Sequence, residues 1–236
     1  MPAVENNGPT LEPHQDGTWW FNRWGSSRLL AGIADRRAHA STLLGRCGAR
    51  VMTAEAEQVH GSSIAIMGRV RESGDVVPGC DALLTDTAGL ALLIRTADCV
   101  PIFIADPARG VIGIAHAGWR GLAARLLNRL VAALHHAYQS RAEGLHVAIG
   151  PAIRGCCYEV GPEFEARFGR FVQPRAGRRT CDLIGIAIDQ LQGSGVPADR
   201  IIDCGRCTVC EPQYWFSVRR EGDATGRLLS LIMLKP

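Results

Sequence analysis

Apolar residues fall mostly in short runs broken by Asp, Gly and Pro. Leu29–Ala34, Ala82–Thr85, Leu90–Thr96, Pro101–Ala105, Val111–Ala115 and His146–Ile149 are such runs, and they predict strands, with those between Leu90 and Ala115 buried. The turn Asp86–Gly89 makes Ala82–Thr85 and Leu90–Thr96 a hairpin or a tight connection, and Asp106–Gly110 splits the next pair. Ser63–Val70 predicts another strand, and Glu72–Gly79 a loop or edge connection. At Leu122 the period changes. Leu122, Leu126, Leu127, Leu130, Val131 and Leu134 recur at three and four residues, which predicts an amphipathic helix over 122–138. Ser41–Leu44 and Pro162–Phe168 suit short helices, and Asp182 suits the N-cap of another that ends at Gly193 and Gly195. Arg200–Cys204, Tyr214–Val218 and Arg227–Leu234 complete the expected strands. With no repeat and no long linker, the pattern describes one α/β (α+β) domain of mixed β-sheets flanked by helices. Residues 1–18, polar with several Gly and Pro, are expected to be a loosely ordered arm, leaving 19–236 as the domain.

Composition removes several function classes. Net charge is only +3, and the densest basic stretch, Arg175–Arg179, suits a surface loop, so nucleic acid is not an expected partner. The long apolar region 82–104 is interrupted by Asp86, Arg95, Asp98 and Pro101, so it reads as core and not as a membrane span. The opening MPAVENNGPTLEPHQDG carries no secretory pattern, and the expected location is cytoplasmic. Nine cysteines, an odd number in a reducing compartment, are expected to be thiols.

Three donors sit where apolar runs end: His60 in QVHG, Cys99 in TADC and His116 in HAGWRG. Two imidazoles and a thiolate suit Zn²⁺, and three protein ligands leave the open position of a catalytic site. A metal-free alternative uses the same residues, with Cys99 as nucleophile, His116 as base and a carboxylate such as Asp98 orienting the base. Adjacent strand residues point to opposite faces, so that reading requires a turn at Asp98. Arg120 and Gly121 begin the expected 122–138 helix, where free N–H groups favour an anion. Cys204, Cys207 and Cys210 have overlapping C-x-x-C spacings that resemble half a zinc site. The adjacent Cys156 and Cys157 do not complete it at usual spacing, so a structural zinc is not expected there.

The motifs QVHG (58–61), DALLTD (81–86), TADCVP (96–101), HAGWRG (116–121), IGPAI (149–153), YEVG (158–161), Cys207-Thr208, FSVRR (216–220) and TGR (225–227) together resemble the laccase-domain, or YfiH-type, family of polyphenol oxidases. Its members have been reassigned as purine nucleoside phosphorylases with adenosine deaminase activity. The resemblance implies the YfiH fold, likened to the cysteine hydrolases of the cytotoxic-necrotizing-factor type. It also implies a Zn²⁺ site, or alternatively Cu²⁺, at His60, Cys99 and His116, with Cys99 essential. The implied substrates are adenosine, inosine, guanosine and methylthioadenosine, cleaved with phosphate to base and ribose 1-phosphate by a monomer or weak homodimer. Gln58, Arg36, Asp98, Arg120, Arg219 and Arg220 are the implied substrate contacts. The chain departs from the family pattern in lacking the Gly-Gly-Val-Ser and Asn-Leu-Gly pieces of the N-terminal part. It also has FSVRR where the family has FSYRR. A four-copper oxidase needs roughly ten His ligands in repeated H-x-H pairs; this chain has seven His and no such pair. The other readings are a cysteine hydrolase or amidase editing a peptidoglycan precursor, a weak single-site copper oxidase, and a non-enzymatic metal-binding partner protein.

Overall fold

A computed structural model describes residues 9–48, 51–68 and 74–236. Two sheets stack face to face. One has seven strands in the order Thr10–Pro13, Thr18–Asn22, Leu29–Ala34, Leu228–Leu234, Leu90–Thr96, Met52–Ala56 and Asp75–Val77. The other has six: Ile201–Asp203, His146–Ile149, Val100–Asp106, Val111–Ala117, Ala82–Thr85 and Ile64–Met67. Both mix parallel and antiparallel pairs.

The six-stranded sheet is covered on both faces, which is why its strands read as continuous apolar runs and do not alternate. Phe103, Ala105, Ile112 and Ile114 face the seven-stranded sheet and pack with Ile33, Leu92, Ile94 and Trp215. Ile102, Ile104, Val111 and Ala115 face the other way, onto the helices Leu126–Tyr138 and Leu183–Gly193. A smaller cluster around Trp20, Leu93, Leu231 and Leu43 places the Ala40–Gly45 helix on the outer face of the larger sheet. No described helix is long and apolar enough to cross a membrane.

Several sequence expectations change. Part of the segment assigned to a loose arm is the edge hairpin Thr10–Pro13 with Thr18–Asn22, held by alternate packing such as Leu11 and by Thr18 on Asp16; residues 1–8 lie outside the described residues. Of the two alternatives for Ala82–Thr85 and Leu90–Thr96, the tight connection holds and the hairpin does not: the strands belong to different sheets, because the chain between them crosses from one layer to the other. Glu72–Gly79 contributes an edge strand at Asp75–Val77, and Val70 of the expected Ser63–Val70 strand lies outside the described residues. Tyr214–Val218 is not a strand. It leads into the short helix Val218–Glu221, capped by the Ser217 side chain accepting from the Arg220 N–H. Arg175–Arg179 is the turn region of a two-stranded hairpin. Asp182 does cap its helix, accepting from the Gly185 N–H at 3.0 Å.

The expected 122–138 helix is two helices, Trp119–Ala123 and Leu126–Tyr138. The break is at Arg125, whose φ of 58° is left-handed. The leucine stripe is continuous across it because both pieces bury their leucines in one core.

Candidate active site

The turn Ala97–Asp98–Cys99 carries the chain from the Leu90–Thr96 strand of one sheet to the Val100–Asp106 strand of the other. Asp98 has φ 96°, the turn that Cys99 and its neighbour require. His116, near the end of the Val111–Ala117 strand, shares the side of Ile112 and Ile114 by strand parity and is 3% exposed. His60 is exposed, on a loop where Gln58 (φ 64°) and His60 (φ 59°) are also left-handed. Three non-glycine residues with positive φ thus surround one pocket, the kind of clustering that marks a functional site.

The donor atoms of His60, Cys99 and His116 lie within 4.8 Å of one another, and the two imidazole rings meet edge to face at 4.8 Å. Asp81, fully buried, organises them. Its Oδ1 accepts from the His60 backbone N–H at 3.0 Å and lies 2.8 Å from His116 Nδ1, while Oδ2 accepts from the Gly61 N–H at 2.6 Å. With Nδ1 held by the carboxylate, Nε2 of His116 is the nitrogen that faces Cys99 and His60. Burial would raise the Asp81 carboxyl, but the His116 ring and the two loop N–H groups hold it below its ordinary value. Burial likewise pushes the Cys99 thiol up, and hydrogen bonds from His116 and His60 overcome it, holding the thiol at about 6. Burial pushes His116 down, and Asp81 and Cys99 outweigh it, raising the ring to about 9. The donor set therefore contains a stabilised thiolate and a ring fixed through its other nitrogen, which is the chemistry a Zn²⁺ ligand set requires.

Helix Trp119–Ala123 closes against this trio. A Cβ on Gly118 would sit 3.1 Å from Cys99 Sγ, and one on Gly121 would sit 2.7 Å from the Gly61 carbonyl. Only glycines allow the helix this approach. The anion site expected at the start of a 122–138 helix is not built: the long helix begins after Arg125, and Arg120 stacks over Trp119 at 4.4 Å.

A pocket of about 700 Å³ opens above the trio, with Tyr158, Ile153 and Val218 on one wall and Arg95, Arg219 and Arg227 among its polar groups. Gln58 and Asp98 line it. Gln58 mimics a strand partner, donating to the Arg95 carbonyl at 2.6 Å and accepting from the Arg95 N–H at 2.7 Å. Asp98 does not orient His116, a role Asp81 fills. Its two oxygens accept from Thr208 Oγ1 at 2.6 Å and the Arg219 N–H at 2.7 Å, joining the 97–99 turn to the loop of Thr208 and the helix of Arg219. Arg219 stacks on Tyr158 at 5.1 Å and donates to the Glu159 carbonyl. Arg36, Arg120 and Arg220 are not among the lining residues. Arg36 donates to the Pro212 carbonyl and to Glu221, and Arg220 to the carbonyls of Thr208, Val209 and Trp215. Both hold the 208–221 segment together.

Asp81, Tyr158, Arg95 and Arg227 were not singled out by sequence. Asp81 heads the DALLTD run, Tyr158 heads YEVG and Arg227 ends TGR, so the motifs contained these three; only the fold shows that Asp81 supports the trio from within while Tyr158 and Arg227 line the pocket. A second thiol cluster also departs from expectation. Cys156, Cys157, Cys207 and Cys210 converge, with sulfur atoms within 4.8 Å of one another, while Cys204 is not part of the group. The spacing is unusual, but the strands preceding the two segments are parallel neighbours.

A family described as multi-copper polyphenol oxidoreductase laccase matches residues 31–235. A protein of Geobacillus stearothermophilus named purine nucleoside phosphorylase YlmD is 36% identical over 75% of this chain and 70% of its own length. A purine nucleoside phosphorylase of Deinococcus radiodurans is 38% identical over 86% of this chain and 77% of its own length. A protein from an unknown prokaryotic organism named adenosine deaminase RL5 is 31% identical over 75% and 73%. The crystal structure of the Geobacillus YlmD superposes with a TM-score of 0.88 at 27% identity, covering 97% of this chain and 100% of that one.

Proposed function

The chain belongs to the family described as multi-copper polyphenol oxidoreductase laccases, whose curated relatives carry nucleoside-enzyme names, and from that premise we propose that it is a zinc-dependent purine nucleoside enzyme. The reactions are phosphorolysis of adenosine, inosine, guanosine and methylthioadenosine to base and ribose 1-phosphate, together with deamination of adenosine. The observation that carries the reading is the His60–Cys99–His116 trio, fixed by Asp81, beneath a pocket of about 700 Å³. That volume suits a small molecule of nucleoside size.

His60, Cys99 and His116 would hold the Zn²⁺, and Cu²⁺ would fit the same donors less selectively. A bound divalent ion supplies Lewis-acid polarisation at the reacting centre. The chain's own residues do the rest. Tyr158, Ile153 and Val218 give the purine an aromatic and aliphatic wall. Arg219 and Arg227 supply the positive charge that phosphate needs, and Asp98 positions Arg219 through its backbone N–H. Asp81 holds a proton on Nδ1 of His116 and so keeps Nε2 available as a lone-pair donor. The histidine count argues against a multicopper centre.

The decisive experiment incubates metal-analysed protein with adenosine, with and without phosphate, and follows adenine, inosine and hypoxanthine by chromatography. Turnover is expected in the wild type and is expected to be lost in Cys99→Ala. No turnover by the wild type refutes the nucleoside reading, and undiminished turnover by the variant refutes the site.

A second reading is favoured by one specific observation: Cys99, His116 and Asp81 form a thiol–imidazole–carboxylate relay, which suits a cysteine hydrolase. Activity that survives complete removal of the metal favours it. Activity restored only by Zn²⁺ favours the first.

A further inference from the structure

The Cys156–Cys157–Cys207–Cys210 cluster has no part in the pocket chemistry. Its thiols come from two segments far apart in sequence. Cys156 and Cys157 follow the His146–Ile149 strand, and Cys207 and Cys210 follow the Ile201–Asp203 strand, its parallel neighbour. An isolated parallel bridge between Ala152 and Cys207 continues that pairing beyond the strands, so the two turns are carried side by side. Cys156 Sγ lies 3.6 Å from Cys207 Sγ and 3.7 Å from Cys210 Sγ, and Cys157 Sγ lies 3.4 Å from Cys210 Sγ.

We propose that these four cysteines are a second metal centre, a closed tetrathiolate site for Zn²⁺ that staples the 150–158 and 203–210 segments together. Zinc–sulfur bonds of about 2.3 Å in a tetrahedron separate neighbouring sulfurs by roughly 3.8 Å, close to the separations here. A disulfide would bring one pair to about 2.05 Å. Four donors and no open position make a structural site, whereas the pocket trio keeps one position open.

The backbone holds the two thiol-bearing segments in register: the Ala152 N–H donates to the Arg206 carbonyl at 3.4 Å and the Thr208 N–H to the Ala152 carbonyl at 3.1 Å. Cys204, also on the second segment, is outside the cluster and is raised by burial to about 12, an inert thiol.

The staple lies behind the active-site wall. Ile153 and Tyr158 of the first segment line the pocket, and Thr208 of the second holds Asp98. Fixing the two segments fixes that wall without touching substrate.

The test uses the full-length chain carrying His60→Ala and Cys99→Ala, which removes the pocket trio and makes the result independent of the nucleoside reading. Reduced protein is equilibrated with ZnCl₂, desalted and analysed for metal and for titratable thiols. About one zinc per chain is expected to remain, with release on treatment with a mercurial. Adding Cys156→Ser and Cys210→Ser, both exposed positions, is expected to cut retention at least tenfold, and adding Cys204→Ser instead to leave it unchanged. Co²⁺ gives a second readout: intense thiolate-to-metal charge-transfer absorption in the trio-deleted protein, lost with the two serines. Retention of no zinc with all thiols titratable overturns the proposal. So does a pair of missing thiols, which identifies a disulfide, or zinc retention that survives the two serines.

Discussion

Asp81→Asn tests whether one carboxylate organises the trio. Asp81 is fully buried and serves three partners: His60 N–H and His116 Nδ1 on Oδ1, and Gly61 N–H on Oδ2. Asparagine has a single acceptor oxygen. If that oxygen stays at the Oδ1 position, the new NH₂ group faces the Gly61 N–H where an oxygen stood at 2.6 Å. If the amide is reversed, NH₂ faces the His60 N–H and His116. His116 then avoids a donor–donor contact only by carrying its proton on Nε2, which removes the lone pair a metal needs. Either orientation leaves at least one buried donor without a partner, costing about 1–3 kcal/mol, and the charged partner of His116 is lost as well. A loss of about 2–4 kcal/mol in unfolding free energy is expected, with a 10–100-fold weakening of zinc binding of the kind that disturbed supporting carboxylates produce. Urea denaturation followed by tryptophan fluorescence measures the first, and competition with a chromogenic chelator the second. To isolate the pocket site, the competition is run in a Cys156→Ser/Cys210→Ser background. Zinc affinity within twofold of the parent, in a variant whose near-UV circular dichroism is unchanged, refutes the role given to Asp81.

Three further outcomes are expected. In metal-stripped protein, alkylation of Cys99 by iodoacetamide rises with pH about a midpoint near 6, because the thiol is held there and His116 stays protonated up to about 9. Cys47, pushed to about 11 by burial, stays unreactive at neutral pH, and a Cys99 midpoint near the ordinary 9.0 contradicts the pairing; peptide mass mapping distinguishes the two sites. Gly121→Ala places a methyl 2.7 Å from the Gly61 carbonyl, so the His60 loop must retreat; about 1–3 kcal/mol of stability is lost, and zinc affinity measured by chelator competition falls with it. Glu221 is held at about 2 by Thr225, Arg220 and Arg36 against a small cost of burial. Its folded value is depressed, so its stabilisation is complete above 4.5, the ordinary value, and fades as pH falls toward 2. Glu221→Gln therefore lowers the urea midpoint at pH 7, and the difference from wild type shrinks in titrations at progressively lower pH below 4.5.

The strands that build the site were legible because burial on both faces leaves a plain sequence record. Leu29–Ala34, Ala82–Thr85, Leu90–Thr96 and His146–Ile149 end where their apolar runs end. What the runs cannot record is which sheet each joins. Ala82–Thr85 and Leu90–Thr96 look like a hairpin or a tight connection, yet each finds its partners in a different layer, and the pairing of Ala82–Thr85 with Val111–Ala117 puts Asp81 beside His116. A local reading favoured Asp98 as the carboxylate because it adjoins Cys99. Asp98 does make the turn that reading required and lines the pocket with Cys99, but its carboxylate is taken up by Thr208 and the Arg219 N–H, and His116 pairs with Asp81 instead.

The same distinction separates the two cysteine groups. His60, Cys99 and His116 each stand at the end of an apolar run, so convergence could be argued from chain geometry, and the structure brings their donor atoms together. Cys156 and Cys157 meet Cys207 and Cys210 through a parallel pairing between strands that are about fifty residues apart, with two helices and a hairpin between them. Parallel neighbours require such a crossover, and ligand spacing within either segment carries no trace of it. A rule built on local spacing therefore finds sites made by one turn or hairpin and misses those made where two parallel strands end side by side. For this fold, thiols beyond the ends of parallel neighbours should be compared as pairs of segments; that comparison brings in the vicinal pair, while the convergence of sulfur atoms is what leaves Cys204 outside.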